Sequence, residues 1–262
     1  MERKLGICWN EHSDIGLIAQ AGFNCYGTGH IDLEMMKRLK AAGEEVGCSC
    51  EFIHAPFGGN DINNMWLDGI AYLDIYNGMK KAIVTASAAG VPNVVIHISH
   101  GWYPPEINDV GLKRFDELVI LAGELGVNIA MENVYSVGNL AYLADRYERM
   151  SHVGFCYDAG HEHCFTKTVS WLDIFGNRTL CTHLNDNPGR PGGKEGNTDM
   201  HWLPFEGDVD YGDMMRKLNK YGYSGSLILE VADRPHGKYK DMSHEEYLKL
   251  CYEKVKRISE MS

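Results

Sequence analysis

No stretch of this 262-residue sequence stays apolar for the ~18 residues that a membrane-crossing helix needs. The opening Met1-Glu2-Arg3-Lys4 runs straight into Leu5-Gly6-Ile7-Cys8-Trp9, without the layout of a signal peptide. Basic residues are scarce: 25 Lys and Arg stand against 36 Asp and Glu, a net charge of −11. That balance argues against broad electrostatic contact with nucleic acid, while leaving room for a local positive site built on metal ions. None of the eight cysteines forms Cys-x-x-Cys; they are scattered and mostly sit in apolar runs. Reduced core thiols of a cytoplasmic protein are the expectation. No strand-like run leads into Gly-x-Gly-x-x-Gly, so a dinucleotide phosphate loop is missing too. Linkers and low-complexity tracts are absent, and 44% hydrophobic with 23% charged residues is ordinary for a globule. One domain over residues 1–262 is expected.

What is present is one pattern repeated. Short β-like runs occupy 5–9, 23–26, 48–54, 93–99, 128–134, 153–158, 179–185 and 226–231. Amphipathic helical stretches fall between them, at 14–21, 33–42, 66–89, 112–125, 140–149, 211–220 and 244–258. Gly22, Gly43, Gly90, Gly126 and Gly222 read as helix-ending glycines just before the next strand. Alternating β and α elements imply a parallel sheet with right-handed crossovers. Eight units in this length predict a (β/α)8 TIM barrel, with an open doubly wound sheet as the alternative.

The polar residues are placed unusually. His54, His97, Glu132, Asp158, His183 and Glu230 each stand directly behind an apolar run, at the C-terminal end of a predicted strand. After 179–185 comes a long glycine-rich connection that carries Asp199-Met200-His201 and Phe205-Glu206-Gly207-Asp208. Taken singly, each residue has an ordinary reading. A histidine can be hydrogen-bonded in the core, Asp158 can cap a helix, and Glu230 can pair with Arg234. Taken together, they fall at the barrel end where active sites are built. Convergence of Glu132, Asp158, Asp199 and Glu230 with His54, His97, His161, His183 and His201 would leave carboxylates repelling one another, and a divalent cation resolves that conflict. Imidazole and carboxylate suit zinc or manganese.

These residues carry a resemblance that runs over nearly the whole chain. Its anchors are Ile53-His54-Ala55-Pro56, Val95-Ile96-His97, Ala130-Met131-Glu132-Asn133, Tyr157-Asp158-Ala159-Gly160-His161, Thr182-His183-Leu184-Asn185-Asp186, Asp199-x-His201 with Pro204-x-Glu206-Gly207-Asp208, and Leu229-Glu230. In this ordered set the chain resembles the xylose isomerase-like TIM barrel superfamily, which holds sugar phosphate isomerases and epimerases together with apurinic endonucleases of the endonuclease IV type. For the isomerases the resemblance implies one divalent metal on Glu132, Asp158, His183 and Glu230, with His161 touching substrate. For the endonucleases it implies up to three zinc ions, with His54, His97, His161, Asp199 and His201 as further ligands. Phe205 stands where that superfamily often has glycine.

Two mechanisms follow. A sugar or sugar-phosphate isomerase or epimerase would work through an enediolate, with Glu132 and Glu230 as base and acid on either side of the substrate carbon. His161, His97, Trp9, Asn133 and Arg190 are the expected substrate contacts, and Phe57, Trp102 and Trp202 are candidate pocket walls. The alternative is a three-zinc phosphodiesterase acting at abasic DNA. Against DNA, segments 55–65, 98–110 and 135–139 hold no Lys or Arg; only 187–200 offers Arg190 and Lys194. A metal-stabilised binding scaffold without catalysis is a third reading, which would leave Glu132 and Glu230 idle. The expected partner is a small sugar or sugar phosphate, with no membrane and no nucleic acid; a homo-oligomer is compatible with the sequence.

Overall fold

Eight parallel strands alternate with helices around a ring. The computed structural model describes residues 2–10, 14–166, 168–190, 198–232 and 238–261. Arg234 and Lys194 lie outside these residues. The strands are β1 (Leu5–Trp9), β2 (Cys25–Gly29), β3 (Ser49–His54), β4 (Asn93–Ile96), β5 (Asn128–Glu132), β6 (Val153–Asp158), β7 (Thr179–His183) and β8 (Leu227–Leu229). From β1 to β7 each pairs in parallel with its sequence neighbour, and β8 pairs with β1. A parallel bridge between Leu184 and Leu229, just past β7, brings the last edge to the first and closes the ring. The expected (β/α)8 TIM barrel is the fold found.

The helices are α1 (Ile15–Ala21), α2 (Leu33–Glu45), α3 (Leu73–Ala89), α4 (Asp109–Glu124), α5 (Val137–Arg146), α6 (Ala159–Phe165), α7 (Trp171–Phe175), α8 (Tyr211–Lys220) and α9 (His244–Ser259). Local chemistry starts them. Asp14, Asp32, Asn108, Ser136, Asp158 and Asp210 accept backbone N–H groups at their N-termini, and Ser243 with Glu246 forms a full capping box. No helix among the described residues is long and apolar enough to cross a membrane.

Three expectations shift. The helical stretch expected at 66–89 begins only at Leu73, because Gly59–Trp66 winds as a 3-10 turn that delivers the Trp66 indole N–H to Ile98 O. Gly43 does not end a helix. It lies inside α2, where a Cβ would stand 2.4 Å from Cys48 O, and the left-handed turn after α2 falls to Gly47 at φ 71°. The short helices α6 and α7 carry too few residues for a periodic signal; α6 was marked only by its cap Asp158, and α7 was not foreseen.

The ring has its own core, separate from the shell between strands and helices. Cys25, Phe52, Val95, Ala130, Cys156, Cys181 and Ile228 form it, one from each of β2 to β8. Phe52 fills the middle because β2 offers Gly27 opposite it: a Cβ there would sit 2.1 Å from the ring. This close approach yields a paired prediction. Gly27→Ala overpacks the ring and costs about 1–3 kcal/mol. Gly29→Ala, two residues along the same strand with open space around it, leaves the urea midpoint near wild type. Equal midpoints for the two variants would contradict this packing.

Candidate metal centre

Side-chain alternation along the strands assembles the site. Phe52, Val95, Ala130, Cys156, Cys181 and Ile228 face the ring interior. Two residues further along are His54, His97, Glu132, Asp158, His183 and Glu230. Because the strand period is two, these six share the interior face, one pleat nearer the mouth. Every strand that supplies a core residue from β3 to β8 also supplies a polar group above it.

Glu132 is the hub. It is 1% exposed, and each of its oxygens meets two imidazoles. Oε2 lies 3.1 Å from Nε2 of both His54 and His97, while Oε1 lies 3.1 Å from His161 Nδ1 and 3.2 Å from His183 Nδ1. His183 Nδ1 is also 3.3 Å from Glu230 Oε2 and 3.9 Å from Asp158 Oδ2. To one side, Asp199 Oδ2 stands 3.2 Å from Nε2 of both His161 and His201. Three groups result: His54–His97–Glu132, Glu132–Asp158–His183–Glu230, and His161–Asp199–His201. Within each, one potential ligand atom per residue lies within 4.8 Å of all the others.

The donor chemistry fits a divalent cation. His54 Nδ1 donates to Ala55 O at 2.8 Å, His161 Nδ1 to Asn133 O at 3.0 Å, and His201 Nδ1 to Glu230 O at 2.8 Å. Fixing the proton on Nδ1 leaves the Nε2 lone pair facing the carboxylates, the way backbone carbonyls orient metal-binding imidazoles. His97 Nδ1 and His183 Nε2 are buried without a hydrogen-bond partner among the described residues. Asp158 does both jobs open to it in the sequence. Its Oδ1 caps α6 by accepting His161 N at 2.6 Å, and its Oδ2 faces the cluster and accepts Asn185 Nδ2 at 3.0 Å.

Without a cation, protons balance the charge. Burial opposes protonation of His183, but Glu230 and Glu132 outweigh it and push its pKa up to about 10. His201 is likewise raised to about 10, burial being outweighed by Asp199 and Glu230. His161 is held well above its usual range against burial by Asp158 and Asp199. Burial also opposes ionisation of Glu132, yet the facing His183 and His97 keep its carboxyl well below the usual range. Burial dominates at Asp158, raised to about 7, and at His97, which is lowered.

The loop bearing Asp199 and His201 is pinned by a residue to which the sequence assigned no role. Asp186 is fully buried, and its carboxylate accepts the backbone N–H groups of Asn187, Phe205 and Val209 at 2.9, 2.8 and 3.1 Å. Its own backbone exchanges two hydrogen bonds with Trp202, both 2.9 Å. The pinned loop holds two non-glycine residues in the left-handed region, His201 at φ 46° and Phe205 at φ 69°. Phe205 is retained there by Arg257, whose guanidinium lies 3.9 Å from the ring centre.

The other expected contacts divide. His97 and His161 line the cup, and Trp9 lines a groove that shares His54, Phe57 and Glu230 with it. Phe57 stacks on His97 with ring centres 4.2 Å apart. Arg190 lies over the Trp102 ring at 5.0 Å, beside the aromatic pair Tyr135 and Phe165. Asn133 lines neither the cup nor the groove. It is fully buried, donates to Asp158 O and accepts from Asp158 N, each at 2.8 Å, and so braces β5 against β6. Trp202 is held in the loop by its pairing with Asp186 and lines neither the cup nor the groove. Tyr135, Phe165 and His100 line the cup without having been foreseen, since aromatic residues after a strand carry no pattern of their own.

Two outcomes are expected. Asp186→Ala strips the acceptor from three N–H groups, one buried and two part-buried, at about 1–3 kcal/mol for any left unsatisfied, and a urea midpoint at the wild-type value would refute the pin. For the metal-free protein, His183 and His201 bind protons more tightly folded than unfolded. Their stabilisation is complete below about pH 6.5 and lost as pH rises towards 10. The melting temperature of metal-free protein therefore falls across that window, while zinc uptake releases protons, measurable by calorimetry in buffers of differing ionisation enthalpy.

Comparison with known proteins agrees with this geometry. The uncharacterized protein y4fM of Sinorhizobium fredii is 26% identical over 94% of this chain and 88% of its own. Among solved structures, the IOLI protein with a bound zinc atom superposes with a TM-score of 0.77 at 19% identity, covering 98% of each chain. A D-tagatose 3-epimerase-like protein gives 0.70 at 21% identity, covering 96% of this chain and 99% of the other. At such identities the structures speak for the fold. The family model described as xylose isomerase-like TIM barrel matches residues 15–250, and the chain belongs to that family.

Proposed function

We propose that this protein is a metal-dependent sugar or sugar-phosphate isomerase or epimerase. The observation that carries the reading is the convergence of Glu132, Asp158, His183 and Glu230 at the bottom of an aromatic-walled cup. Those four residues would hold zinc or manganese. A divalent ion there supplies Lewis acidity toward adjacent carbonyl and hydroxyl oxygens, favouring the enediolate. Support also comes from the fold shared with the IOLI protein, whose structure holds zinc, and with a D-tagatose 3-epimerase-like protein.

The chain's own groups divide the remaining work. Glu230 is 26% exposed at its side chain and faces the groove, so it moves a proton to or from a substrate carbon. Glu132, across the cup, is the second acid/base group of this reading. His161, fixed through Asn133 O, presents Nε2 to a substrate hydroxyl. Phe57, Trp9 and Tyr135 cover apolar faces of a sugar and exclude water. Arg190, which lies over Trp102, would meet the phosphate of a phosphorylated substrate.

One observation favours a second reading. The His54–His97 and His161–Asp199–His201 groups extend the centre towards three cations, two of them sharing Glu132, as a zinc phosphodiesterase of the endonuclease IV type would require. Three divalent ions against Glu132, Asp158, Asp199 and Glu230 leave a charge of +2, suited to a phosphodiester. One ion against Glu132, Asp158 and Glu230 leaves −1, suited to a neutral polyol. The net charge of −11 supports the polyol.

Elemental analysis of purified protein separates the two, with one ion per chain expected. Incubated with a ketose panel in deuterated water, the protein is expected to exchange a carbon-bound proton. Glu230→Gln should lower that exchange by about 10²–10⁴-fold with the fold retained. Undiminished exchange in the variant removes Glu230 from the mechanism, and efficient nicking of abasic duplex DNA replaces this function with the second.

A further inference from the structure

We propose that Cys8 supplies a sulfur ligand to the cation held by His183 and Glu230, which biases the centre towards zinc over manganese or magnesium. This rests on the metal-binding reading above and adds to it a donor from a strand that otherwise contributes none.

Register places the thiol there. On β1, Gly6 pairs with Ile228 of β8 and Ile7 with Leu229. Ile228 belongs to the ring core, and Glu230 stands two residues beyond it. Cys8 stands two residues beyond Gly6, so alternation puts it on the same interior face, one pleat nearer the mouth, beside Glu230. It occupies on β1 the position that His54, His97, Glu132, Asp158, His183 and Glu230 occupy on β3 to β8. Gly6 beneath it has no room for a side chain, with Cys25 Sγ 2.7 Å and Ile228 Cγ1 3.0 Å from where a Cβ would be.

Distance and access agree with register. Cys8 Sγ and one ligand atom each of His183 and Glu230 lie within 4.8 Å of one another. Seven of the eight cysteines are buried, while Cys8 is partly exposed and lines the groove with Trp9, Thr28 and Phe57. Cys156 is also within reach of Glu132 and His183. It lies one pleat lower, fully buried and paired in register with Cys181. That makes Cys156 a packing thiol and an internal control.

The chemistry is balanced without a redox partner. The Cys8 S–H bond breaks, a sulfur–metal bond forms, and the proton leaves through the groove to solvent. Thiolate is a soft ligand, preferred by zinc and disfavoured by manganese and magnesium, for which carboxylate and water are better donors.

Cobalt(II) reports sulfur ligation directly. Metal-free wild-type protein given one equivalent of cobalt should show a thiolate-to-cobalt charge-transfer band in the near ultraviolet. The band should vanish in Cys8→Ser and persist in Cys156→Ser, with bound cobalt by elemental analysis unchanged in both. The preference for zinc over manganese should drop by about tenfold or more in Cys8→Ser. A second measurement needs no variant: zinc, but not manganese, should shield Cys8 of the wild-type protein from iodoacetamide, read by mass spectrometry. Bound cobalt without the band, a band that survives Cys8→Ser, or alkylation equally fast with zinc overturns the proposal. Failure to take up any cobalt overturns the metal reading itself, and this inference with it.

Discussion

Four carboxylates in one cup, three of them largely shut off from water, set the terms for everything around them. Glu132 and Asp158 are at most 1% exposed, and Asp199 and Glu230 are only partly open. Such a group ionises only against nearby positive charge. His161, His183 and His201, held protonated against burial by these carboxylates, supply it in the metal-free protein, and those same imidazoles would become neutral donors to a divalent ion. Proton and metal therefore compete for one site, with pH deciding the exchange. The backbone carbonyls of Ala55, Asn133 and Glu230 choose the side of each ring that takes part.

Only a closed ring makes this convergence cheap. In an open sheet of this strand order the residues above β7 and β8 would lie at opposite edges. The bridge between Leu184 and Leu229 brings them to one axis. Packing below the site sets its height. Phe52 fills the ring against Gly27, and its ring centre lies 5.0 Å from that of His183, giving the central histidine an apolar floor. The mouth is shaped by different means. Asp186 accepts three hydrogen bonds from the backbone of residues 187, 205 and 209, and that loop carries Asp199 and His201 to His161 on α6 and Glu230 just past β8.

Much of this was legible in the sequence because two periodicities carry it. Alternation of β and α runs gave eight units, and polar residues behind apolar runs marked the strand ends. β1 and β6 match their expected bounds, whereas β4, β5, β7 and β8 stop short of theirs. What stayed hidden was non-periodic. Asp186 looks like any loop aspartate until the N–H groups it collects are known, and nothing local announces that Phe205 adopts φ 69°. Asn133 shows the converse: its place at a strand end suggested substrate, and one residue past Glu132 the alternation turns its amide to Asp158 on β6.

The way Glu132 is held bears on what the centre can do. A carboxylate serving as a base needs one oxygen free to approach a carbon-bound proton. Both oxygens here are faced by imidazoles, two on each. Glu230 differs: its Oε2 meets His183 and His201 while the side chain remains partly open to the groove. Glu132 is thus enclosed by imidazoles on both oxygens, whereas Glu230 keeps an edge open to the groove. Of the two carboxylates, Glu230 is the one a bound molecule in the groove could reach without first displacing an imidazole.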